Sequence, residues 1–463
     1  MSAPDASGPL TPTGTISSST DRRRVAFATV VGTTVEWYDF FIYAFAAGVV
    51  FETLFFAPWK ELFPGSAAII SFATVGISFL FRPLGAFLAG HYGDKFGRRP
   101  VLIATLVLMG AATTLIGVLP TYAMAGVIAP IILILLRILQ GISAGGEWGG
   151  AVLMAVEHAP KHRRGLMGAM PQIGVPIGLL LASGMNQLMT LFFPGDSFFD
   201  WGWRIPFLFS FVLILVGHYV RRRVEESPVF QEIAERKEQA RAPISLLFRR
   251  FAPLVILCAF VFAANNAVGY MTTGGFIQRY ASNPEGPVGL PLGEVLGAVT
   301  LSSVTWLIAT FIGGWLSDKI GRKVTYTMGW IWLGVAVLLV FPLVNSGSVA
   351  LLALGLILLT IGLGFSYGPQ SAWYSELFPA SVRFSGVSIS YAIGAIIGGA
   401  FAPTIAQAIV AGTGSTDGVT LYLFLMVAAS LTATLLLRDR RGLPLGPEHE
   451  DEQAHGMYVW HKR

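Results

Sequence analysis

The chain alternates long apolar runs with short polar turns over most of its length. The apolar runs lie at about residues 25–50, 66–90, 100–119, 125–157, 166–193 and 203–220, and again at 251–280, 294–316, 324–344, 349–375, 385–411 and 419–437. Each run is near or above the roughly 20 residues with which an α-helix crosses a bilayer. The pattern predicts an all-α membrane protein with twelve transmembrane helices in two pseudo-symmetric six-helix halves.

The polar stretches divide the chain into five parts. Residues 1–24 form a Ser/Thr/Pro-rich tail without an apolar core, which predicts a disordered cytoplasmic leader and not a signal peptide. Residues 221–250 form a cytoplasmic linker whose charge spacing suits a short amphipathic helix at the membrane surface. The six-helix bundles are then residues 25–220 and 251–437, and residues 438–463 form a cytoplasmic C-terminal tail.

One charged turn occurs twice. Gly90 to Arg99 reads GHYGDKFGRR, and Gly314 to Lys323 reads GWLSDKIGRK, 224 residues later. A turn with this many charges between two membrane-length helices must lie in water, and its basic excess predicts the cytoplasmic side. One copy would be an ordinary positive-inside loop, but two copies at the same place in each half predict a duplicated architecture.

A second repeat supports the duplication. The segment EHAPKHRRG (157–165) matches ELFPASVRFSG (376–386), with Glu, Pro and Arg recurring at an offset of 219 residues. The same offset aligns Trp148 and Gly149 with Tyr367 and Gly368. Two half-repeats that meet at a midplane cavity are the layout of a secondary transporter.

Composition and charge agree with this layout. Hydrophobic residues make up 54% of the chain and charged residues only 12%, which is typical of a membrane protein. Of the 31 Lys and Arg residues, 26 lie in the termini, the linker and the loops on one side, so both termini are predicted to be cytoplasmic. The net charge of +5 therefore reports topology and does not indicate a nucleic-acid partner.

Charged residues within the apolar runs are the main functional candidates, because charge inside a bilayer is costly. Thr33, Glu36, Asp39 and Tyr43 recur at steps of three and four, so they share one helix face. Asp39 is the preferred carrier of a coupling proton, and Glu36 is the less favoured choice. The competing interpretation is that these acids only form buried ion pairs that fix helix packing.

Depth counts relate these acids to other charges. At about 1.5 Å per helical residue, Glu36, Arg82 and Glu147 lie at similar depths, so the arginine could hold carboxylates that a proton displaces. Glu147 could therefore exchange roles with Glu36 or Asp39. Arg82 or Arg137 could hold a substrate carboxylate through two parallel hydrogen bonds.

In the second half the cavity candidates are neutral. They are Asn265, Asn266, Tyr367, Gln370 and Tyr374, with Tyr43 added from the first half. Pro369 removes a backbone donor and is predicted to break or kink its helix. The asparagine pair could instead serve hydrogen bonds between helices.

Other chemistries find little support. The pattern GISAG at 141–145 fits a hydrolase nucleophile motif, but that motif needs a strand-to-helix turn and this one lies in a membrane helix. His158 and His162 lie in a basic loop with Pro160 between them, so a metal site is not predicted. Cys258 is the single cysteine, which excludes a disulfide framework. We expect neither an enzyme nor an organic cofactor.

Four extended motifs together resemble one family. TVEWYDFFIY, FLFRPLG, RILQGISAGGEWGGA and RRRVEESPVF, with the two decapeptides, are similar to the metabolite:proton symporters of the major facilitator superfamily. The resemblance covers about residues 22–440. It implies uptake of shikimate, di- or tricarboxylates, or betaine- and proline-type zwitterions by alternating access, with protons as the coupling ion.

The resemblance also implies residue roles. It assigns the family's cytoplasmic gate to Gly90, Asp94, Arg98 and Arg99, with the second copy at Asp318 and Arg322. The gate set is completed by the two repeated loop acids, Glu157 and Glu376. The Arg-x-x-x-Gly motif of the fourth helix, which is tied to proton coupling, falls on Arg137 and Gly141.

The tail bears on the choice of substrate. Osmosensing betaine and proline members of this group carry a long C-terminal coiled coil, whereas this tail has about 25 residues and no heptads. A small organic acid is therefore preferred, with a zwitterion symporter, or a passive facilitator or sensor, as alternatives. We expect a monomer in the bacterial inner or plasma membrane.

Overall fold

The computed structural model describes residues 19–62, 65–96, 98–145, 147–157, 159–222, 243–273 and 275–460. Side chains are described for these residues except 19–25, 89–102, 147, 154, 220–222, 243–245 and 273. Most of the predicted leader and residues 223–242 of the linker therefore lie outside the described part. Where the chain is described, the only β-structure is an isolated bridge between Leu437 and Tyr458.

Twelve long helical elements follow one another along the described residues. The first half contains α1 (Ser19–Val49), α2 (Ser66–Phe96), α3 (Arg98–Gly117), α4 (Ile128–Ala144 and Glu147–Glu157), α5 (Arg164–Phe192) and α6 (Arg204–Arg222). The second half contains α7 (Pro243–Thr273 and Phe276–Ser282), α8 (Leu292–Ile320), α9 (Arg322–Val344), α10 (Val349–Tyr367 and Gln370–Leu377), α11 (Arg383–Ala395 and Ala402–Thr413) and α12 (Asp417–Leu436).

Single helical turns fill most of the connections. They are Phe51–Leu54, Ala57–Glu61, Tyr122–Ala125, Lys161–Arg163, Phe198–Gly202 and Ala380–Val382, with Ile396–Ala400 inside α11 and Pro447–His449 and Glu450–Gln453 in the tail. The helix α1 begins at Ser19, within the stretch that the sequence assigns to the leader.

Ten of the described helices are long and apolar enough to cross a membrane, and Ile103–Gly117 is a shorter apolar helix. The helix α1 is not among the ten, because Glu36, Asp39 and their polar neighbours lower its hydropathy. The residues that weaken the membrane signal of α1 are therefore the same ones that mark it as a functional candidate.

Helices α7 and α10 are interrupted at contacts between the halves. Helix α10 stops at Tyr367 and resumes at Gln370, so Pro369 breaks it as predicted. At the break, a side chain on Gly368 would lie 2.6 Å from the backbone nitrogen of Gly314 in α8. Helix α7 resumes after Gly275, whose φ of 84° is a left-handed conformation that favours glycine.

The two halves pack along α5 against α8 and along α2 against α11. The α5–α8 seam depends on small residues. A Cβ added to Gly314 would lie 2.5 Å from the Cβ of Ala169 and 2.8 Å from the carbonyl oxygen of Gly165. Helices approach this closely in membranes only when small residues line the contact.

Candidate functional site

A small cavity of about 20 Å³, which we call the central cavity, lies between the halves and is lined by buried residues. It has room for about one water molecule, so the helices are closed around it. Its lining comes from α1, α5, α7, α8 and α10: Trp37, Phe41, Val175, Phe262, Asn265, Asn266, Gly269, Tyr270, Trp306 and Tyr367.

Four buried hydrogen-bond donors in this lining have no partner among the described residues. They are Trp37 Nε1, Asn266 Nδ2, Tyr270 Oη and Trp306 Nε1. Leaving a buried donor unsatisfied costs on the order of 1–3 kcal/mol, so native structures rarely gather several around one space. The cavity is therefore suited to a ligand rich in hydrogen-bond acceptors.

Stacked aromatic rings extend from the cavity and join the halves. Phe262 of the lining stacks on Tyr391 of α11 at 4.3 Å between ring centroids, and Tyr391 stacks on Trp148 of α4 at 3.6 Å. Trp148 is fixed by a 3.1 Å hydrogen bond from its Nε1 to Gln172 Oε1. A side chain from each half thus contributes to one stack beside the cavity.

Arg82 and Arg137 are both buried one aromatic ring away from the cavity. The Arg82 guanidinium lies 4.4 Å from the ring centroid of Phe79. The Arg137 guanidinium lies 5.0 Å from the ring centroid of Phe40. Phe40 and Phe79 in turn contact the ring of Tyr270, at 5.4 and 5.6 Å. Both positive charges are therefore close to the cavity without lining it.

Arg137 is held by aromatic and polar contacts. Its guanidinium lies 4.0 Å from the ring centroid of Tyr43, which is a cation–π distance. Its Nη1 donates to Gln140 Oε1 at 2.9 Å, and Gln140 Nε2 donates to Thr113 Oγ1 at 2.7 Å. Tyr43 itself donates to Thr74 at 2.7 Å, so it contacts the arginine with its ring and not its hydroxyl.

Asp39 lies away from the cavity, sealed inside the first half. Its side chain is 1% exposed, and its Oδ1 accepts a 2.5 Å hydrogen bond from Ser210 of α6. Thr113 of α3 lies beside the same carboxylate. Thr113 Oγ1 accepts from Gln140 and donates to the Met109 carbonyl at 2.9 Å, so the polar chain runs from Thr113, beside Asp39, through Gln140 to Arg137.

The other two predicted acids are less fully defined. Glu36 is 5% exposed on α1, three residues before Asp39. Glu147 begins the second part of α4, but its side chain lies outside the described residues. The predicted match in depth between Glu36, Arg82 and Glu147 therefore stays a prediction.

The neutral candidates of the second half occupy different places. Asn265 donates to Ser366 Oγ at 2.8 Å and to the Leu363 carbonyl at 3.2 Å, which ties α7 to α10. Asn266 also lines the cavity, and its Nδ2 has no partner among the described residues. The Tyr374 hydroxyl donates to the Cys258 carbonyl and lies outside the lining.

Gln370 is fully buried just after the α10 break, and neither its Oε1 nor its Nε2 has a partner. It is absent from the lining of the cavity. The structure thus keeps Asn265, Asn266 and Tyr367 in the lining and places Gln370 outside it, at the start of the helical segment after the break.

Two reciprocal ion pairs link the halves on the face that carries the second decapeptide, which we call the basic face. Arg164 Nη1 lies 3.8 Å from Glu376 Oε1, and Arg383 Nη1 lies 3.5 Å from Glu157 Oε1. These residues are the equivalent Glu and Arg of the 219-residue repeat. Each half therefore supplies the acid to the arginine of the other.

Asp318 adds a third link across this face. Its two carboxylate oxygens accept the backbone N–H groups of Gly165 and Leu166, both at 2.8 Å, at the start of α5. An anion is favoured there by the unpaired N–H groups and the dipole of the helix. Arg322 holds Asp318 at 2.7 Å and Glu376 at 3.1 Å.

The first decapeptide spans the end of α2 and the start of α3. Gly90 and Asp94 fall in α2, and Arg98 and Arg99 begin α3. Their side chains lie outside the described residues, so the role of these four gate residues stays a prediction. The side chains of the second copy are described and contact the first half.

Sequence reasoning missed several lining residues. Trp37, Phe262, Tyr270 and Trp306 are ordinary aromatic residues of membrane helices by sequence alone. The only local indication of a role in the site was that Trp37 and Tyr270 lie close to polar candidate residues, in VEWYD and NNAVGY.

Comparisons with known proteins agree with this architecture. One family model, described as Sugar (and other) transporter, matches residues 25–250, and another, described as Major Facilitator Superfamily, matches residues 285–460. Among solved structures, the MFS proton:xylose symporter XylE bound to 6-bromo-6-deoxy-D-glucose superposes with a TM-score of 0.74 at 18% identity, covering 92% of this chain and 98% of that one. At that identity the likeness shows the fold alone, and it confirms the predicted fold.

Sequence relatives extend over nearly the whole chain. The Inner membrane metabolite transport protein YhjE of Escherichia coli (strain K12) is 39% identical over 422 residues, 91% of this chain and 95% of that protein. The Shikimate transporter of the same organism is 34% identical, with 92% and 96% covered. A Proline/betaine transporter of Salmonella typhimurium (strain LT2) is 30% identical, with 91% and 85% covered. The chain therefore belongs to the major facilitator superfamily and is a multi-pass membrane transporter of metabolites, not an enzyme.

Proposed function

We propose that this transporter takes up a small organic acid together with protons, by alternating access. The observation that carries the proposal is the set of four unpartnered donors around the central cavity, with Arg82 and Arg137 one ring away. A carboxylate offers several acceptor lone pairs and a negative charge, so it satisfies the donors and is attracted by both arginines. Likeness to a shikimate transporter supports the same class of substrate.

Asp39 is the proposed carrier of the coupling proton. It is buried within the first half, and the polar chain through Thr113 and Gln140 connects it to Arg137. A substrate anion that draws Arg137 toward the cavity would weaken the stabilisation that Arg137 gives to ionised Asp39 through Gln140 and Thr113. Protonation of Asp39 would then become more favourable. Binding of substrate and binding of a proton would then favour each other, as symport requires. Glu36 and Glu147 remain the alternative carriers.

The proposal includes an orientation. The basic face carries Asp318, Arg322 and the tail, and it belongs to the side that holds 26 of the 31 Lys and Arg residues. We therefore assign it to the cytoplasm of a bacterial cell, with the protein in the inner membrane and both termini inside. The opposite face is then the side of substrate entry.

A betaine- or proline-type zwitterion is the second candidate. The aromatic lining of the cavity, which includes Trp37, Tyr270 and Trp306, favours it, because aromatic rings bind quaternary ammonium groups. Likeness to a proline/betaine transporter points in the same direction. The two candidates differ in net charge, which makes them separable.

The test is uptake by proteoliposomes that contain the purified protein. Labelled shikimate, a dicarboxylate and betaine are each supplied with an inward proton gradient, with and without a protonophore. We expect an acid to accumulate above its outside concentration only while the gradient lasts. Accumulation of betaine alone would favour the second candidate, and uptake that is indifferent to the protonophore would contradict proton coupling.

A further inference from the structure

On the face opposite the basic face, an ion pair joins the two halves. Arg279 in the second part of α7 donates from Nε to Glu52 Oε2 at 2.7 Å and from Nη2 to Glu52 Oε1 at 3.0 Å. Its Nη1 donates to Gln407 of α11 at 3.2 Å. The side chains of Glu52 and Arg279 are each 17% exposed. Such a two-pronged, partly buried pair is stronger than an ordinary surface salt bridge.

One helical turn nearer the membrane centre, the backbones of the halves touch. A Cβ added to Gly48 would lie 2.6 Å from the carbonyl oxygen of Gly275 and 3.0 Å from its carbonyl carbon. A Cβ on Gly275 would in turn meet the Ala44 carbonyl oxygen. Gly48 precedes Glu52 by four residues, and Gly275 precedes Arg279 by four. The ion pair therefore lies directly over a closed contact between α1 and α7.

A second small cavity, of about 10 Å³, lies between α1, α5, α7 and α8, and we call it the outer cavity. Its polar lining residues are Ser183, Asn186 and Gln278, and Gln278 is the neighbour of Arg279 in the chain. The Gln278 side chain donates to the Thr272 carbonyl, which leaves its buried Oε1 without a partner. Phe41 lines both this outer cavity and the central cavity.

We propose that Glu52 and Arg279, steadied by Gln407, form the lock that closes the substrate path on this face. The path runs from the lock through the outer cavity and past Phe41 to the central cavity. The proposal rests on the proposed function, since alternating access needs a contact that breaks when this face opens. Glu52 and Arg279 belong to different halves, so separation of the halves here must break both of their hydrogen bonds.

The lock also defines a subsite behind it. Gln278 Oε1 can accept a hydrogen bond, and the rest of the lining is mostly apolar. The outer cavity is thus suited to a hydroxyl group of an entering substrate or to the water that precedes it. It offers no charged side chain, so a ligand is expected to pass through it and bind more firmly beyond Phe41.

Thiol accessibility tests the lock without knowledge of the substrate. The buried Cys258 is first replaced by serine, and Ser183→Cys then introduces a reporter into the outer cavity. Its rate of modification by a membrane-impermeant thiol reagent is measured in vesicles of both orientations. We expect slow modification in this background, and about tenfold faster modification in Glu52→Gln and in Arg279→Gln, from the face that carries the pair only.

Matched variants separate the lock from general damage. Glu285→Gln removes an exposed acid of a loop on the same face and should leave the rate unchanged. The double exchange Glu52→Arg with Arg279→Glu should restore slow modification, because it rebuilds the pair with reversed charges. A variant that only unfolds would not be rescued in this way.

Two results would overturn the inference. One is a rate that stays slow in both single variants, and the other is faster modification from the basic face. Either can occur in a protein that still accumulates an acid on a proton gradient, so the lock can fail while the proposed function stands. Conversely, uptake that ignores the gradient would contradict proton coupling and leave the accessibility result intact.

Discussion

Asp39 is the residue on which proton coupling depends most in this proposal. Its contacts, to Ser210 and beside Thr113, lie on the side of α1 that faces α3 and α6. A carboxyl group there can gain or lose a proton without touching the substrate. In the proposed coupling, the connection to the cavity runs through Gln140 and Arg137.

Asp39→Asn is expected to uncouple transport from protons. Asparagine can still bond Ser210, but it cannot bind and release a proton, so gradient-driven accumulation should fall at least tenfold. Exchange of labelled for unlabelled substrate across the membrane should persist, because it needs no net proton movement. Asp196→Asn, in an exposed loop, is the matched control and should behave as the parent. Accumulation against a gradient in Asp39→Asn would move the proton to another residue.

Tyr270→Phe is expected to weaken substrate binding without lowering stability. The substitution removes one unpartnered hydroxyl of the cavity and keeps the ring that contacts Phe40 and Phe79. A hydrogen bond to a charged group contributes about 1.5–3 kcal/mol, so the apparent KM should rise about tenfold or more. The melting temperature without substrate should stay equal or rise, because a buried unsatisfied group is lost.

Tyr374→Phe is the control for that measurement. Its hydroxyl bonds the Cys258 carbonyl, so its loss should lower the melting temperature and leave KM nearly unchanged. If Tyr374→Phe raises KM and Tyr270→Phe only lowers the melting temperature, the cavity is not the binding site.

At the scale of elements, closure of the basic face depends on the start of α5. Asp318 from the end of α8 accepts two backbone N–H groups there, and it is held in place by Arg322. This arrangement makes a helix N-terminus of one half the docking point for a carboxylate of the other. Opening of this face must leave those N–H groups without that partner.

Asp318→Asn is expected to open the basic face more often. Asparagine has one acceptor oxygen in place of two and no charge, so it holds α5 and Arg322 less well. A reporter Ser371→Cys, at a buried position of α10 that packs near Gly168 of α5, should then be modified several-fold faster from this face. Asp439→Asn is the control, since Asp439 contacts Lys323 and Arg441 of its own half. Equal rates in Asp318→Asn and Asp439→Asn would contradict the assignment.

At the scale of the whole molecule, the two halves are closed on both faces at once. Reciprocal ion pairs and Asp318 join them on the basic face, and Glu52 with Arg279 joins them on the other. The central cavity between these layers holds about one water molecule. The described residues therefore close the space between the halves on both faces.

The C-terminal tail adds a strap across the basic face. The Leu443 carbonyl accepts from Arg164 of the first half at 2.6 Å, and the Leu445 carbonyl accepts from Arg383 of the second half at 2.9 Å. Arg440 is anchored on the Gln453 carbonyl at 2.6 Å. Burial lowers the pKa of Arg440 to about 10, so it remains charged at neutral pH.

Gln453→Ala is expected to loosen this strap. Gln453 is 1% exposed, accepts from Ala380 N and Arg383 Nη2, and donates to the carbonyls of Pro444 and Gly446. Its loss leaves buried groups unpaired, so the free energy of unfolding should fall by about 1–3 kcal/mol. The melting temperature of the detergent-purified protein reports this. Glu448→Ala, at an exposed position of the same segment, should leave it unchanged.

The sequence by itself determined the membrane architecture and its duplication. Apolar runs of membrane length follow from the cost of burying polar backbone and side chains in lipid, a property that each segment carries alone. The 219-residue offset likewise identified Glu157 and Glu376 as equivalent positions. The break at Pro369 was also predictable, because proline acts on its own helix.

Which groups meet was decided only by the tertiary structure. Helical spacing placed Asp39 and Tyr43 on one face of α1, yet Asp39 bonds α6 and Tyr43 bonds α2. Residue spacing identifies the face of a helix but not the helices that pack against it. Adjacent Asn265 and Asn266 both line the cavity, yet Asn265 bonds α10 while Asn266 Nδ2 has no partner among the described residues, since successive helical residues are about 100° apart. Glu52 and Arg279 pair across 227 residues, a distance over which no local pattern can operate.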